Sequence, residues 1–195
     1  MISIVIPIYD MQDGDKFLWR NINSIMEQTY KNYEIIITKA GKMAENTNAG
    51  IRKCRGDIVK ILFMDDYFAH PNALQEIADN FDGGWLATGC NHDDGLELFN
   101  PHLARWNFNI HAQNTIGSPS VIAFENHEPL LFDENLSWVL DCDLYKRLYE
   151  RYGEPTIIDD INVTIGVGRH QTTHIMSDEE KSVEEDTVRR KYGKI

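Results

Sequence analysis

The chain has few cysteines, and none of them lies near another in the sequence. Cys54, Cys90 and Cys142 form no C-x-x-C pair, so the sequence lacks the ligand spacing of a thiolate zinc site. Widely spaced cysteines also argue against the disulfide scaffold on which small secreted proteins depend. We interpret them as small buried apolar side chains in a protein of a reducing compartment.

Positive charge is also scarce. The sequence contains 19 Lys and Arg residues against 31 Asp and Glu residues, and its formal net charge is -12 at pH 7. A protein that binds a nucleic-acid backbone needs a surface that neutralises phosphate groups. We therefore expect no nucleic-acid partner.

Long hydrophobic runs are missing as well. The apolar stretch at residues 1–9 has no basic region before it and no small-residue cleavage site after it, and no stretch reaches the length of a membrane span. These absences predict a soluble, cytoplasmic protein without a transmembrane segment. The 195 residues, of which 42% are hydrophobic, are enough for one domain with a well-formed core.

The first half of the chain alternates strand and helix patterns. Short β-branched runs at residues 2–6, 34–38 and 58–64 predict buried strands. Between these runs, apolar residues three and four apart predict helices at 15–30 and 43–54. This β-α-β-α-β order predicts an α/β fold, with a mostly parallel sheet flanked by helices.

The remaining part of the chain has weaker patterns. After Gly89 the sequence supports only a short helix around residues 103–110, in a region that we interpret as a variable lobe. Ser177 and Glu180 have the spacing of a capping box, which opens a last, solvated helix. The other predicted elements are a helix after Pro71, strands at 85–88 and 120–124, a helix at 141–152, and one or two strands at 156–167 interrupted at 159–160.

Two adjacent carboxylates follow the strand predicted at residues 58–64. Asp65 and Asp66 come directly after the apolar run ILFM. Ligands of open α/β sheets bind beyond the carboxyl ends of the strands, so this pair points towards the expected crevice. Carboxylates bind hard divalent cations such as Mg²⁺ or Mn²⁺, which in turn bind the phosphates of a substrate. The sequence therefore predicts a cation site.

Four stretches of the first half match one enzyme family in order and spacing. Residues 4–10 (IVIPIYD) resemble its opening V-I-P-x-Y-N strand, with Asp10 for the usual Asn. Residues 24–36 (SIMEQTYKNYEII) resemble its S-x-x-x-Q-T-Y-x-N-x-E-I-I run. Residues 48–51 (NAGI) and 56–58 (GDI) resemble the R-N-x-G-I and G-D-Y-I elements that precede its metal motif. By these motifs the chain resembles the family 2 glycosyltransferases, which have the GT-A fold.

The resemblance implies an activity and its partners. The activity is a metal-dependent, inverting transfer of a sugar from a nucleotide-diphosphate sugar to an acceptor hydroxyl group. The implied donor is above all a UDP-sugar, the acceptor is a saccharide or another hydroxyl compound, and the cofactor is Mn²⁺ or Mg²⁺. The implied organisation is one GT-A domain over residues 1–195, with a nucleotide-sugar-binding half at 1–88, an acceptor-side half at 89–176 and a C-terminal helix at 177–195.

The resemblance also implies roles for individual residues. Asp66 stands at the metal-binding position of the family's D-x-D motif, and Asp65 is expected to contact ribose or to support the metal. Residues 132–144 are similar to the family's F-D-E-x-L-x-x-x-E-D-x-D-L segment, which makes Asp141 the catalytic base. His170 is expected to complete the metal shell. The implied donor-binding residues are Pro7, Tyr9, Asp10, Lys39 and Asn48, together with Asp65.

Three departures from the family pattern keep another function open. Lys39 stands where the family usually has an acid that reads the nucleotide base, Thr47 replaces a common Arg, and Phe63 replaces the first Asp of a longer metal motif. These departures fit a non-catalytic module that binds a nucleotide sugar or a carbohydrate and keeps the GT-A fold. The acids and the histidine assigned above favour the enzyme.

Two local alternatives concern single residues. Asp141 opens a helical pattern, so it could be the N-cap of that helix, with or without a catalytic role. Gly166 and Gly168 begin a G-x-G motif of the kind that binds dinucleotides. Gln171 occupies the third glycine position and the strand-to-helix context is wrong, which argues against that interpretation.

Overall fold

The first half of the chain alternates strands with helices. The structure is a computed structural model, and it describes residues 1–169 and 171–193. The β-branched runs form strands because branched side chains pack well on a pleated surface, and the apolar stripes between them form helices. The elements are β1 (Ile2–Pro7), α1 (Gly14–Met26), β2 (Tyr33–Thr38), α2 (Met43–Ile51), β3 (Ile58–Ile61), β4 (Tyr67–Phe68) and α3 (Ala73–Asn80).

The second half contains the two longest strands. A short 3-10 helix (Pro119–Val121) leads into the strand that joins the two halves of the sheet, and the hydroxyl of Ser118 accepts a hydrogen bond from the N–H of Ser120 at its start. The other elements are β5 (Trp85–Asp93), β6 (Leu98–His102), β7 (Ile122–Glu125), α4 (Leu140–Tyr152), β8 (Thr156–Gly166), α5 (Thr172–Ile175) and α6 (Asp178–Tyr192).

Within the described residues, all strands belong to one eight-stranded sheet. Its order is β2-β1-β3-β7-β5-β8-β4, and β6 pairs with the C-terminal part of β5. β1 is parallel to β2 and β3, and β5 is parallel to β8, whereas β7 runs antiparallel between β3 and β5. The longer strands thus share one direction. The predicted α/β fold with a mostly parallel sheet is confirmed.

The core is centred on the strands in the middle of this sheet. Every residue of β1 and β3 is buried, as expected when a parallel sheet is covered on both faces. A cluster of buried apolar side chains extends from β1 to α6 without interruption. One continuous core is what defines a single domain.

The helix predicted around residues 103–110 is wrong. Residues 103–118 contain neither a helix nor a strand, and the chain before them forms the β5–β6 hairpin. The asparagines explain the difference, because their side chains bond to nearby backbone groups in place of a helical pattern. Asn107 Oδ1 accepts a hydrogen bond from the N–H of Asn109 at 2.9 Å.

Two predicted strands have different limits in the structure. The strand predicted at 58–64 ends at Ile61, after which the chain turns and forms β4. The pattern at 156–167 forms the single strand β8, whose pairing with β5 shifts register at Gly89. The predicted interruption at 159–160 therefore appears as an irregularity within one strand.

The C-terminal helix α6 begins as the sequence predicts. Ser177 Oγ accepts a hydrogen bond from the N–H of Glu180 at 3.3 Å, and the carboxylate of Glu180 accepts one from the N–H of Ser177 at 2.9 Å. α6 is the longest helix among residues 1–169 and 171–193, and it is highly charged. No helix in these residues combines the length and the apolar composition that crossing a membrane requires.

Candidate active site

A cleft of about 610 Å³ opens at the edge of the sheet where β1, β3 and β8 end. This is the position at which open α/β sheets bind ligands. Its walls combine carboxylates with apolar side chains, among them Phe63 and Trp138. The structure brings together in this cleft the predicted site residues Tyr9, Asp10, Asp65, Asp66 and Asp141.

Contacts from two elements hold Asp65. Nη2 of Arg20, on α1, donates a hydrogen bond to the carbonyl oxygen of Asp65 at 2.7 Å, and Arg20 also pairs with Asp93 at 2.5 Å. Gly166, at the end of β8, lies so close to the same carbonyl that a Cβ atom would collide with it. The side chain of Asp65 is half-buried and faces the cleft.

Asp66 lies deeper than Asp65 and is only 2% exposed. Its Oδ1 accepts a hydrogen bond from the N–H of Gly166 at 2.9 Å, and Asn21 donates to its backbone carbonyl at 2.8 Å. Burial, and then the charge of Asp65, raises the pKa of Asp66 well above its ordinary value. The ionised form of Asp66 therefore depends on positive charge nearby.

A buried lysine supplies part of this positive charge. Lys60, on β3, is 0% exposed, and its Nζ donates to the carbonyl oxygens of Ser120 and, at 3.1 Å, of Ile61. Burial lowers the pKa of Lys60 to about 7, and the charge of Asp66 acts in the opposite direction. The two groups thus favour each other's charged form. In the sequence, the only sign of this contact is a single lysine inside an apolar strand.

The two acids differ in accessibility, and the difference bears on the sequence assignment. The family resemblance implies that Asp66 binds the cation and that Asp65 contacts ribose or supports the metal. In the structure Asp65 has the more accessible carboxylate, whereas one oxygen of Asp66 accepts the hydrogen bond from Gly166. Both side chains line the cleft, so the carboxylates of both acids belong to its wall.

Asp141 lies in the first turn of α4. The N-cap of this helix is Val139, so the N-cap interpretation of Asp141 is wrong. Asp141 Oδ1 accepts a hydrogen bond from the N–H of Cys142, and Oδ2 accepts one from Nδ2 of Asn114, both at 2.7 Å. Burial raises the pKa of Asp141 to about 6, although these hydrogen bonds act against the shift. Such a group is ionised at pH 7 and is more basic than an ordinary aspartate.

Tyr9 and Asp10 line both the main cleft and a second cavity of about 490 Å³. Lys39 lines the second cavity, and its Nζ pairs with Asp10 at 2.6 Å. Because both partners of this pair are largely exposed, it contributes little to stability. Burial, and then the charge of Asp65, raises the pKa of Tyr9, so its hydroxyl group stays neutral.

The remaining predicted residues lie away from the cleft. Pro7 is buried at the end of β1, opposite Thr38 of β2. Asn48 is buried in α2, where its Nδ2 donates to the carbonyl oxygen of Phe132 at 3.0 Å and its Oδ1 accepts from the N–H of Phe132 at 2.8 Å. Asn48 therefore joins α2 to the segment before α4. Neither Pro7 nor Asn48 lines the cleft. His170 lies outside the described residues.

Sequence comparison finds a relative among the glycosyltransferases. No protein-family model matches the chain. An uncharacterized glycosyltransferase of Rickettsia bellii is 28% identical over 138 residues, which are 69% of this chain and 18% of that protein. The chain therefore spans less than a fifth of the length of this relative.

Solved structures share the whole architecture. TarS of S. aureus, in complex with UDP-GlcNAc, aligns with a TM-score of 0.69 at 14% identity, over 96% of this chain and 65% of that chain. The chain has the GT-A glycosyltransferase fold. The mannosyltransferase PcManGT from Pyrobaculum calidifontis, in complex with GDP-Man and Mn²⁺, aligns with a TM-score of 0.60 at 14% identity, over 87% of this chain and 57% of that chain.

The residues that hold the carboxylates of this GT-A domain could not be recognised from the sequence motifs. Arg20 and Gly166 hold the backbone of Asp65, and Asn114 holds the side chain of Asp141. None of the three belongs to a stretch that carries the family resemblance. Gly166 and Asn114 lie in glycine- and asparagine-containing segments, which indicate only a turn or a close approach.

A second group of possible metal ligands lies elsewhere in the GT-A domain. His70, Glu76 and Asp160 each bring one ligand atom within 4.8 Å of the others. Nδ1 of His70 accepts a hydrogen bond from the N–H of Asn72 at 3.3 Å, which places the proton of a neutral imidazole on Nε2. Nε2 of His70 lies 4.0 Å from Oε2 of Glu76, which is beyond hydrogen-bonding distance, so the two groups form an ion pair only when the imidazole is protonated.

Proposed function

We propose that the chain is the catalytic domain of a metal-dependent, inverting glycosyltransferase of the family 2 type. It transfers a hexose from a nucleotide-diphosphate sugar, with a UDP-sugar favoured, to a hydroxyl group of a saccharide or another acceptor. The observation that carries this proposal is that Asp65, Asp66 and Asp141 line one cleft at the ends of the sheet strands. The name of the relative and the nucleotide-sugar complexes of TarS and PcManGT support the same substrate class.

The acids of the donor half fit a hard divalent cation. Asp65 and Asp66 together offer carboxylate oxygens, which Mn²⁺ and Mg²⁺ prefer. The burial that raises the pKa of Asp66 is unfavourable for a bare carboxylate, and a cation ligated there would favour the ionised form. When bound, the cation supplies neutralisation of the charge that develops on the leaving diphosphate.

Asp141 is the general base in this proposal. As the acceptor oxygen bonds to the anomeric carbon, the bond from that carbon to the diphosphate oxygen breaks, and the acceptor proton moves to Asp141. One base and an in-line attack suffice for inversion. Asn114 and the N–H of Cys142 orient the carboxylate, so that its side chain is already held in one conformation before the reaction.

The organisation and the location of the domain belong to the same proposal. Residues 1–88 bind the donor, residues 89–176 contribute the acceptor side, and residues 177–195 contribute a C-terminal helix. We place the protein in the cytoplasm, because Cys54, Cys90 and Cys142 are all free thiols in the structure.

A non-catalytic binding module is the second candidate function. Phe63 occupies a place in the cleft wall where the family has an acid, and Lys39 pairs with Asp10 beside the second cavity. Both features change the donor side and leave the rest of the fold intact. A module of this kind would bind a nucleotide sugar and release it unchanged.

Thermal unfolding with a panel of nucleotide sugars tests the proposal. The chain is heated with UDP- and GDP-sugars in Mn²⁺ and again in EDTA. We expect Tm to rise by a few degrees only when donor and cation are both present, because a ligand of the folded state shifts unfolding by mass action. A panel that leaves Tm unchanged throughout would exclude the donor assignment, and a shift that persists in EDTA would exclude the cation requirement.

Release of nucleotide diphosphate separates the enzyme from the binding module. A donor that raises Tm is incubated with the chain and a set of simple saccharide acceptors. The enzyme releases the nucleotide diphosphate in proportion to time, whereas the binding module leaves the donor intact.

A further inference from the structure

Helix α4 begins without a capping side chain of its own. Its N-cap residue is Val139, which makes no side-chain hydrogen bond to the helix. The first N–H groups of a helix have no partner within the helix, and a valine cannot accept a hydrogen bond from them. One first-turn N–H group, that of Cys142, bonds to Oδ1 of Asp141 within α4 itself, and the N-cap residue and the segment before it are held from elsewhere in the chain.

Glu184, on the distant helix α6, accepts hydrogen bonds from the segment that leads into α4, up to its N-cap residue Val139. Its Oε2 accepts hydrogen bonds from the N–H groups of Trp138 at 2.7 Å and of Val139 at 3.3 Å. The N–H of Ser137 lies 2.9 Å from both carboxylate oxygens. A negative charge at the start of a helix also interacts favourably with the helix dipole, so the charge and the hydrogen bonds act together.

A second contact holds the same end of α4 against α6. Asp143 is 0% exposed, and its Oδ1 accepts hydrogen bonds from Nζ of Lys191 at 2.6 Å and from the hydroxyl of Tyr192 at 2.7 Å. Val188 is the buried apolar residue of α6. The rest of α6 is mostly exposed, as expected of a solvated terminal helix, and these polar contacts join it to the N-terminal part of α4.

The segment that Glu184 holds is part of the cleft wall. Ser137, Trp138, Leu140 and Asp141 all line the cleft, and Asp141 follows the last bonded N–H group by two residues. Fixing residues 137–139 therefore fixes the direction from which Asp141 enters the cleft. Glu184 lies far from Asp141 in the sequence, and no motif connects the two residues.

We propose that Glu184 is a positioning residue, which holds the segment carrying Asp141 in the wall of the cleft. The effect on catalysis rests on the proposed function, whereas the effect on the segment does not. Glu184→Gln keeps the size of the side chain but removes the charge and one acceptor oxygen. Glu179→Gln makes the same change at an exposed position of α6 and is the matched control.

Amide hydrogen exchange of the ligand-free protein gives the first readout. We expect Glu184→Gln to speed exchange at Ser137, Trp138 and Val139 by about tenfold, the effect of losing charge-assisted hydrogen bonds. Glu179→Gln should leave these amides unchanged. Glu184→Asp keeps the charge on a shorter side chain. If the charge is what protects the amides, this variant should restore part of the protection. Equal exchange in wild type and Glu184→Gln would overturn the proposal, as would wild-type amides that exchange at the rate of an unstructured chain.

Steady-state kinetics give the second readout, which a merely structural role would not move. We expect kcat of Glu184→Gln to fall by about tenfold while KM for the donor changes little, because Asp65 and Asp66 are untouched. Unchanged kcat in a variant whose amides are loosened would overturn the positioning role. If the wild-type chain transfers no sugar, the proposed function fails, and the exchange data alone decide whether Glu184 holds the segment.

Discussion

The proposed donor half and the proposed acceptor half of the cleft hold their carboxylates by different means. Asp65 and Asp66 follow a buried central strand, and the backbone of β8 packs against them through Gly166. Asp141 begins a helix, and side chains from other segments, Asn114 and Glu184, hold it and its neighbours. Sheet geometry therefore places the first pair, and polar side-chain contacts place the third acid.

The difference predicts which changes each half tolerates. Backbone packing is insensitive to most surface substitutions but cannot accept extra volume, whereas a side-chain contact is lost with a single residue. Donor binding should therefore depend on the two acids and on backbone packing around them. Turnover should depend in addition on residues far from the cleft.

The largest expected effect separates turnover from donor binding. Asp141→Asn removes the base but keeps the shape and the acceptor oxygen near Cys142, so we expect turnover to fall by about 10²- to 10⁴-fold with donor affinity unchanged. Nucleotide-diphosphate release and calorimetry measure the two quantities. Asp178→Asn, an exposed acid at the start of α6, is the control. A variant with normal turnover would place the base elsewhere.

The next effect concerns donor binding. Asp65→Asn and Asp66→Asn each remove a carboxylate oxygen from the proposed cation site, and we expect Mn²⁺-dependent donor affinity to fall by roughly 100-fold in both. Asn at position 66 can still accept the hydrogen bond from Gly166, so folding should persist. Calorimetry with Asp159→Asn, an exposed acid on β8, as control measures the loss. If only one variant loses affinity, that residue alone is the ligand.

The pH dependence of turnover tests the acceptor half in a further way. The pKa of Asp141 is raised to about 6, so the base loses its ionised form below this pH instead of near the ordinary value of an aspartate. We expect kcat/KM to fall about tenfold per pH unit below about 6, and to be level above it. Asn114→Ala removes a hydrogen bond that lowers this pKa, so the decline should begin at higher pH. A decline that moves to lower pH would contradict the assignment.

The smallest expected effect concerns the packing of β8 against Asp65, where the two halves of the cleft meet. Gly166→Ala, on the acceptor side, would push a methyl group against the carbonyl of Asp65, and we expect a loss of about 1–3 kcal/mol in the free energy of unfolding. Donor affinity should weaken severalfold in the same variant. Gly14→Ala, where the added methyl meets flexible methionine side chains at the start of α1, is the control in urea unfolding. Equal stability of the two variants would show that the close packing is unimportant.

Much of the donor half can be predicted from the sequence because its information is local. The β-branched runs and apolar stripes predict strands and helices, and their order predicts parallel pairing. The acid pair then falls at the crevice because it follows the carboxyl end of a strand, the side on which open α/β sheets bind ligands. Tyr9, Asp10, Asp65 and Asp66 accordingly lie in the cleft as expected.

The acceptor half is harder to predict because its information is distant in the sequence. The short helix predicted around residues 103–110 does not form, and asparagines in this stretch bond to nearby backbone groups. Asn48, in the donor half, shows the same limit: it belongs to a motif, but the motif does not indicate that its amide bonds to the backbone of the distant Phe132. Motif spacing shows that a residue belongs to a family pattern, but it does not show which atoms its side chain contacts.

The amino-acid sequence alone determined the α/β class, the order of its first strands and helices, and the acids that follow β3 or lie in the first turn of α4, since hydrophobic period and residue type act over a few residues. Only the tertiary structure decided which of the two adjacent acids is accessible, that Lys60 is buried beside them, and that Glu184 binds the segment leading into α4. These features depend on atoms brought together from segments far apart, where burial changes the pKa of an acid and a remote carboxylate accepts hydrogen bonds from the backbone before a helix.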